Sequence, residues 1–250
     1  MRRWLSGPVT RPYPAGGFVF SCDGYRNFGF ARSDLRGIEA VEREFARRYL
    51  TSIRASSVWD IGANVGFWTL WLAATVDRTC RIRAYEPDER NLVHLRENVG
   101  RNGLTNVDVR ECALSSSSGT MSLELDETAM MNSLRSSGLQ AVAVPAGMAS
   151  VVVRTVDQEA AEFGIPDLAK IDVEGHELDV LKGASTLLAA RRSVLLLEVT
   201  RPASRSGQEA IRLLRAAGYT VQALDGREIE EPDYYVVASP TKLDRALFPA

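Results

Sequence analysis

The stretch Asp60-Ile61-Gly62-Ala63-Asn64-Val65-Gly66 leaves the short apolar run 58–61 and enters an apolar helical segment near Phe67. A hydrophobic strand that turns through glycines into a helix is the opening unit of a parallel βαβ sheet. Gly62 and Gly66 lack a Cβ, so the backbone can turn sharply there and lie close to a ligand, while the helix start offers unpaired N–H groups. Such a turn suits a nucleotide-like cofactor. The dinucleotide fingerprint is GxGxxG, whereas here the glycines stand four apart, Asn64 holds the centre and Asp60 precedes the first glycine by two residues. An acid at a strand end repels a pyrophosphate and attracts the ammonium of a methionine moiety, so Asp60 separates these two cofactor types. Capping of the loop is the plainer role open to Asp60.

Outward from this turn the βα rhythm repeats. Apolar runs at 58–61, 81–86, 107–112, 168–173 and 194–199 alternate with helical stretches near 67–75, 89–101, 157–163 and 177–190. The pattern predicts an α/β fold with a mostly parallel sheet and helices on both faces. A helix over 208–217, ended by Gly218, leads into runs at 219–224 and 234–238 that flank Asp225-Gly226 and are close enough to pair antiparallel. The central domain is therefore expected to span 57–240, with a tail over 241–250. Residues 1–56 read as a small N-terminal extension: a hairpin from the aromatic runs around 18–20 and 28–30, then a helix over 38–50 with Ile38, Val41, Phe45, Tyr49 and Leu50 at helical spacing. The rhythm breaks in an insertion over 115–154. There 121–125 reads as an extra strand, and 127–150, rich in Ser, Gly, Ala and Met, reads as a mobile cover in which Met130, Met131 and Leu134 pack.

Composition narrows the class of function. A 45% hydrophobic and 25% charged chain of 250 residues has enough apolar material for one sizeable core. A formal net charge of −2, with arginines scattered among acids, argues against a nucleic-acid partner. The N-terminal Met1-Arg2-Arg3-Trp4-Leu5-Ser6 has basic residues without the apolar core of a secretion signal, and no segment reads as membrane-spanning, so the expected address is the cytoplasm. Cys22, Cys80 and Cys112 show neither CxxC spacing nor a histidine cluster, which supports neither a disulfide framework nor a zinc site.

The second run ends at Glu86 in Ala84-Tyr85-Glu86-Pro87-Asp88, where a carboxylate can accept both hydroxyls of a ribose. Asp88 reads as the N-cap of the next helix. Together, DIGANVG, AYEPD, NLVHLRENVGRNGL with NVDVRECALSSSSG, and KIDVEGHELDVLKGA resemble the FkbM family of methyltransferases over roughly residues 57–200. The resemblance implies a class I methyltransferase, Rossmann-like fold with a seven-stranded sheet and S-adenosylmethionine as cofactor. It also implies a hydroxyl acceptor on a sugar, polyketide or other small natural product. It would place Asp60, Gly62, Asn64 and Gly66 along the methionine part and Glu86 on the ribose. Adenine would lie against Cys112 and Ala113, although Cys112 stands where related enzymes often carry an acid. Asn132-Ser133-Leu134 resembles a short family element near the cofactor.

The fourth run ends in Ile171-Asp172-Val173-Glu174-Gly175-His176-Glu177, the family's second signature, beyond the carboxyl end of a strand where open α/β sheets bind ligands. Methyl transfer to an aliphatic hydroxyl gains from a base that removes its proton, and Asp172, Glu174 and His176 are the candidates. Asp172 also has the role of holding the methionine ammonium open to it. Glu198, ending the fifth run, is expected at the same edge. The oxygen-rich cluster would also suit Mg²⁺, but no independent ligand pattern marks a metal site. N-methylation with the same cofactor loop stays open, as does a binding protein without turnover, and an NAD-dependent oxidoreductase is disfavoured by the missing GxGxxG. The N-terminal hairpin is left either to cover the pocket or to form a homodimer contact.

Overall fold

A computed structural model of the protein describes residues 7–125, 133–135 and 147–249. The chain opens with a hairpin of β1 (Pro8–Pro12) and β2 (Val19–Asp23), followed by α1 (Phe28–Arg32) and α2 (Ala40–Ile53). The alternating core then begins: β3 (Ser57–Ile61), α3 (Phe67–Thr75), β4 (Arg81–Tyr85), α4 (Glu89–Arg101) and β5 (Val107–Arg110). It is interrupted by β6 (Ala113–Leu114), β7 (Gly119–Glu124), β8 (Ser133–Arg135) and β9 (Met148–Arg154). It resumes with α5 (Val156–Phe163), β10 (Leu168–Ile171), α6 (Glu177–Lys182), α7 (Ser185–Ala190), β11 (Val194–Glu198), α8 (Arg205–Ala216), β12 (Thr220–Ala223) and β13 (Tyr235–Ser239).

The main sheet has seven strands in the order β12-β13-β11-β10-β3-β4-β5, parallel except for β13, which runs against both of its neighbours. Its central strands are covered on both faces, which is why β10, apart from Lys170, and β11, up to Glu198, read as apolar runs. Trp59, Ile171 and Leu197 face a layer with Leu181, Leu187 and Leu214, while Val58, Leu168 and Leu196 face Phe45, Leu70 and Leu72. Among the described residues no helix is long and apolar enough to cross a membrane.

Several expectations need correction. The N-terminal hairpin pairs 8–12 with 19–23, and the aromatic run at 28–30 starts a helix instead of a second strand. The run at 107–112 ends as a strand at Arg110; Ala113–Leu114 belongs to a second sheet, β6-β9-β7-β8, to which the expected extra strand β7 contributes. The helix expected over 177–190 is two, because Gly183 lies against the chain just after β6: a Cβ there would sit 2.1 Å from the Ser115 carbonyl oxygen. The final run pairs antiparallel with β12 as expected, but it also inserts between β12 and β11. Of the cover over 127–150, Ser133–Arg135 and residues 147–150 are described, as strand and turn; Met130, Met131 and Asn132 lie outside the described residues.

The N-terminal hairpin is fastened to the core by Asn98 of α4 and Asn102, the residue that caps its C-terminus. Asn98 accepts from Ser21 N (2.7 Å) and donates to Ser21 O and Val65 O (2.8 Å each). Asn102 repeats the pair on Val19 N and O, also at 2.8 Å. Residues one helical turn apart rise about 6 Å, close to the roughly 6.6 Å between alternate strand residues, so the two amides serve β2 as a neighbouring strand would.

Candidate active site

The strand order reverses between β3 and β10, the place where open α/β sheets bind ligands. A cavity of about 640 Å³ lies there, walled by the loops after β3 and β10, the ends of β4 and β11, β6, the start of β13, and α1 with the residue before α2. Asp172 N donates to Ile61 O at 3.0 Å, bringing the two loops into contact. Gly62 is required by that contact: at φ +86° its Cβ would fall 1.8 Å from the Asp172 carbonyl oxygen. Gly62 and Asn64 line the cavity. Gly66 does not. It starts α3 at φ +90°, where a Cβ would press to 2.7 Å from Leu95, so its role is the close approach of α3 to α4.

At one end of the cavity, Glu86 is 5% exposed and accepts from Asn64 N (2.8 Å), Asp88 N (2.9 Å) and Asn91 Nδ2 (3.3 Å). Burial pushes its carboxyl up to about 7 against these hydrogen bonds. Asp88 caps α4 through Arg90 N, as expected. Cys112 and Ala113, with Leu114 and Leu123, form an apolar wall beside this end, and burial holds the Cys112 thiol up at about 11. A carboxylate at a strand end next to a flat apolar slot fits the ribose and the base of a nucleoside cofactor.

The other end is rich in acids. Asp172, Glu174 and Glu198 line it as expected, and they are joined by Glu39, the residue before α2, held in the left-handed conformation at φ 47°. Glu39, Asp172 and Glu198 each bring an oxygen within 4.8 Å of the other two. Lys170 Nζ lies 2.9 Å from Asp172 and 4.0 Å from Asp60. Tyr234 and Tyr235 donate their hydroxyls to the two oxygens of Glu198, at 2.5 and 2.7 Å, and the Trp68 indole donates to Glu39. Burial, then neighbouring acids, pushes Glu174 up to about 8; burial likewise raises Glu39 to about 7, although Lys170 opposes the rise. Burial would lower Lys170, but Asp172, Glu39 and Asp60 outweigh it and raise the ammonium's pKa. Among the described residues the Glu174 carboxyl has no hydrogen-bond partner, and its backbone sits at φ 52°.

Two residues expected in the site lie behind it. Asp60 is fully buried, accepts from Thr69 Oγ1 at 2.7 Å and does not line the cavity. It faces Lys170 across the β3–β10 ladder, so its charge serves that lysine and the loop and does not reach a ligand directly. His176 starts α6 with its ring buried: Nε2 is 2.8 Å from Ser115 Oγ, and burial lowers its pKa. It is outside the cavity lining, with its ring held against Ser115. Glu39, Lys170, Trp68, Tyr234 and Tyr235 were not foreseen. Lys170 was the one signal available, a charge inside an otherwise apolar strand run.

The Methyltransferase FkbM domain model matches residues 60–221. Hexuronic acid methyltransferase AglP of Haloferax volcanii is 32% identical over 168 residues, 65% of this chain and 63% of that protein, so the match spans less than two thirds of the relative. Among solved structures, Methyltransferase FkbM from Methylobacillus flagellatus KT aligns with a TM-score of 0.52 at 20% identity, covering 82% of this chain and 50% of the other. Cofactor-bound Rv0187 from MTB aligns at 0.50 and 18% identity, covering 79% and 78%. Both likenesses are of fold.

Proposed function

The chain belongs to the FkbM methyltransferase family, and on that premise we propose that it is an S-adenosylmethionine-dependent O-methyltransferase acting on a hydroxyl of a sugar-like acceptor. The observation that carries the reading is the division of one cavity into a nucleoside-like end at Glu86 and an acidic end at Asp172, Glu174 and Glu198. The name of the 32% identical relative, a hexuronic acid methyltransferase, supports a sugar as the acceptor class.

Glu86 holds the ribose hydroxyls with the lone pairs its three internal donors leave free, and Cys112 to Leu114 with Leu123 cover the base. The backbone of the β3 loop, from Ile61 to Asn64, and the Asp172 edge flank the amino-acid part. When bound, the cofactor supplies an electrophilic methyl group on a sulfonium. The protein's share is alignment of the acceptor oxygen and removal of its proton. Glu174 is the base: it has no hydrogen-bond partner among the described residues, lines the cavity, and has a carboxyl pushed up to about 8, matched to a proton transfer near neutrality. Glu198, fixed by two tyrosines, and the Lys170–Asp172 pair orient the acceptor.

Calorimetric titration with S-adenosylhomocysteine and, separately, NADH tests the cofactor assignment. Binding of the first alone is expected; binding of NADH alone would replace the reading with an oxidoreductase.

A further inference from the structure

We propose that the acidic end of the cavity takes an acceptor carrying a cationic amino group, an amino sugar and not a uronic acid, and that Glu39 sets this preference. The inference rests on the methyltransferase reading of the cavity and deepens it.

Charge balance is the first argument. Glu39, Asp172, Glu174 and Glu198 face this end of the cavity, and Lys170 is the only cationic side chain lining it among the described residues; no arginine or histidine does. That lysine is already committed. Asp172 lies 2.9 Å from its Nζ on one side and Asp60 4.0 Å on the other, and Asp60 Oδ1, fully buried, has no hydrogen-bond partner. An acceptor carboxylate entering here would meet carboxyls that burial already holds toward their neutral forms and, among the described residues, no uncommitted cation, whereas an ammonium would meet oxygens of Glu39, Asp172 and Glu198 within 4.8 Å of one another and favour their ionised forms.

The second argument is the construction around Glu39. It lies outside residues 60–221, which the family model matches. Its backbone is left-handed at φ 47° and ψ 42°, a conformation that carries strain in a residue with a side chain and persists where the surroundings hold it. The Trp68 indole holds its carboxylate, and Phe30, Trp68 and Tyr234 line the cavity, giving aromatic side chains for a sugar ring or a cation.

The test is binding of three methyl glycosides, of glucosamine, glucose and glucuronic acid, to protein saturated with S-adenosylhomocysteine at pH 7, followed by ligand-detected magnetic resonance. The amino sugar is expected to bind at least tenfold tighter than the neutral sugar, and the uronate weaker than both. Glu39→Gln should shrink the amino-to-neutral ratio about fivefold, and Glu39→Lys should bring the uronate ahead of the amino sugar. Should these variants fail to fold, the wild-type order still decides. Equal binding of the three, no binding by any, or a uronate preference overturns the proposal. So does tight binding of Mg²⁺, added as the chloride, on which the best sugar then depends, because the acids would then form a metal site. If S-adenosylhomocysteine itself does not bind, the methyltransferase reading falls instead.

Discussion

Glu86 and Glu174 are glutamates lifted toward neutrality for different ends, and their surroundings separate them. Glu86 is walled in by three donors, so its carboxylate is a fixed acceptor. Glu86→Ala removes charge-assisted hydrogen bonds worth about 1.5–3 kcal/mol, which predicts a loss of roughly 10- to 150-fold in S-adenosylhomocysteine affinity by calorimetry. Glu174 has no hydrogen-bond partner among the described residues, and as the proposed base it works only when ionised. In the wild type kcat/KM should rise with pH and level off above about 8. Glu174→Gln should abolish that limb and lower turnover about 100-fold or more, and an unchanged pH profile would remove Glu174 from the chemistry. Glu86 was legible in the sequence because strand-end position alone gives an acid its place. Asp60 and His176 were not: the same positional logic put them at the mouth, and only side-chain direction turns them into the core. Glu39 had no signal, since an acid before an amphipathic helix is indistinguishable from an ordinary solvated residue until the chain folds back over the sheet.

The strands and helices that carry the site were read nearly in place, because buried parallel strands are short apolar runs and the helices between them have clear stops. What the periodicity missed was set by contacts distant in sequence. Gly183 divides α6 from α7 because it abuts Ser115, and β13 slots between β11 and β12 by sheet pairing that no local pattern encodes. The hairpin was misplaced because its partner is a helix. With the free edge of β2 satisfied by Asn98 and Asn102, the strand needs no long apolar alternation to be held. Asn98→Ala would leave Ser21 N, Ser21 O and Val65 O without their partner in a buried setting, a cost of about 2–4 kcal/mol. At roughly 2–4 °C per kcal/mol for a chain of this size, the melting temperature should fall by about 4–16 °C. Amide exchange should quicken first in β2, and slow exchange there with an unchanged melting temperature would show that β1 alone holds the strand.

At the scale of the molecule, the reversal of strand order places two loops side by side and obliges the fold to bury acids where it binds its ligands. That arrangement makes stability depend on pH. Glu39 and Glu86 are raised to about 7 and Glu174 to about 8, so between roughly pH 4.5 and 8 the folded chain holds more protons than the unfolded one. Stability then falls as pH rises through that window. Burial also raises Asp60, Glu42, Glu177 and Glu198, which act in the same direction, whereas His176 and Lys170 act elsewhere. His176, lowered by burial from 6.5, costs stability only on the acid side, and Lys170, raised by its acids, loses its contribution only in strong alkali. The ligand-free protein should therefore melt higher at pH 6 than at pH 8.5. Glu86, fully buried and lifted from 4.5 to about 7, has the largest share, up to about 3 kcal/mol. The two more solvated glutamates add less, because water screens them. Glu86→Gln should flatten the decline most among single variants, even where the amide lowers the melting temperature overall. Thermal melts across pH 6 to 8.5 at constant ionic strength measure the slope, and a melting temperature that climbs over this range would mean that the acidic cavity is ionised and balanced before any ligand arrives.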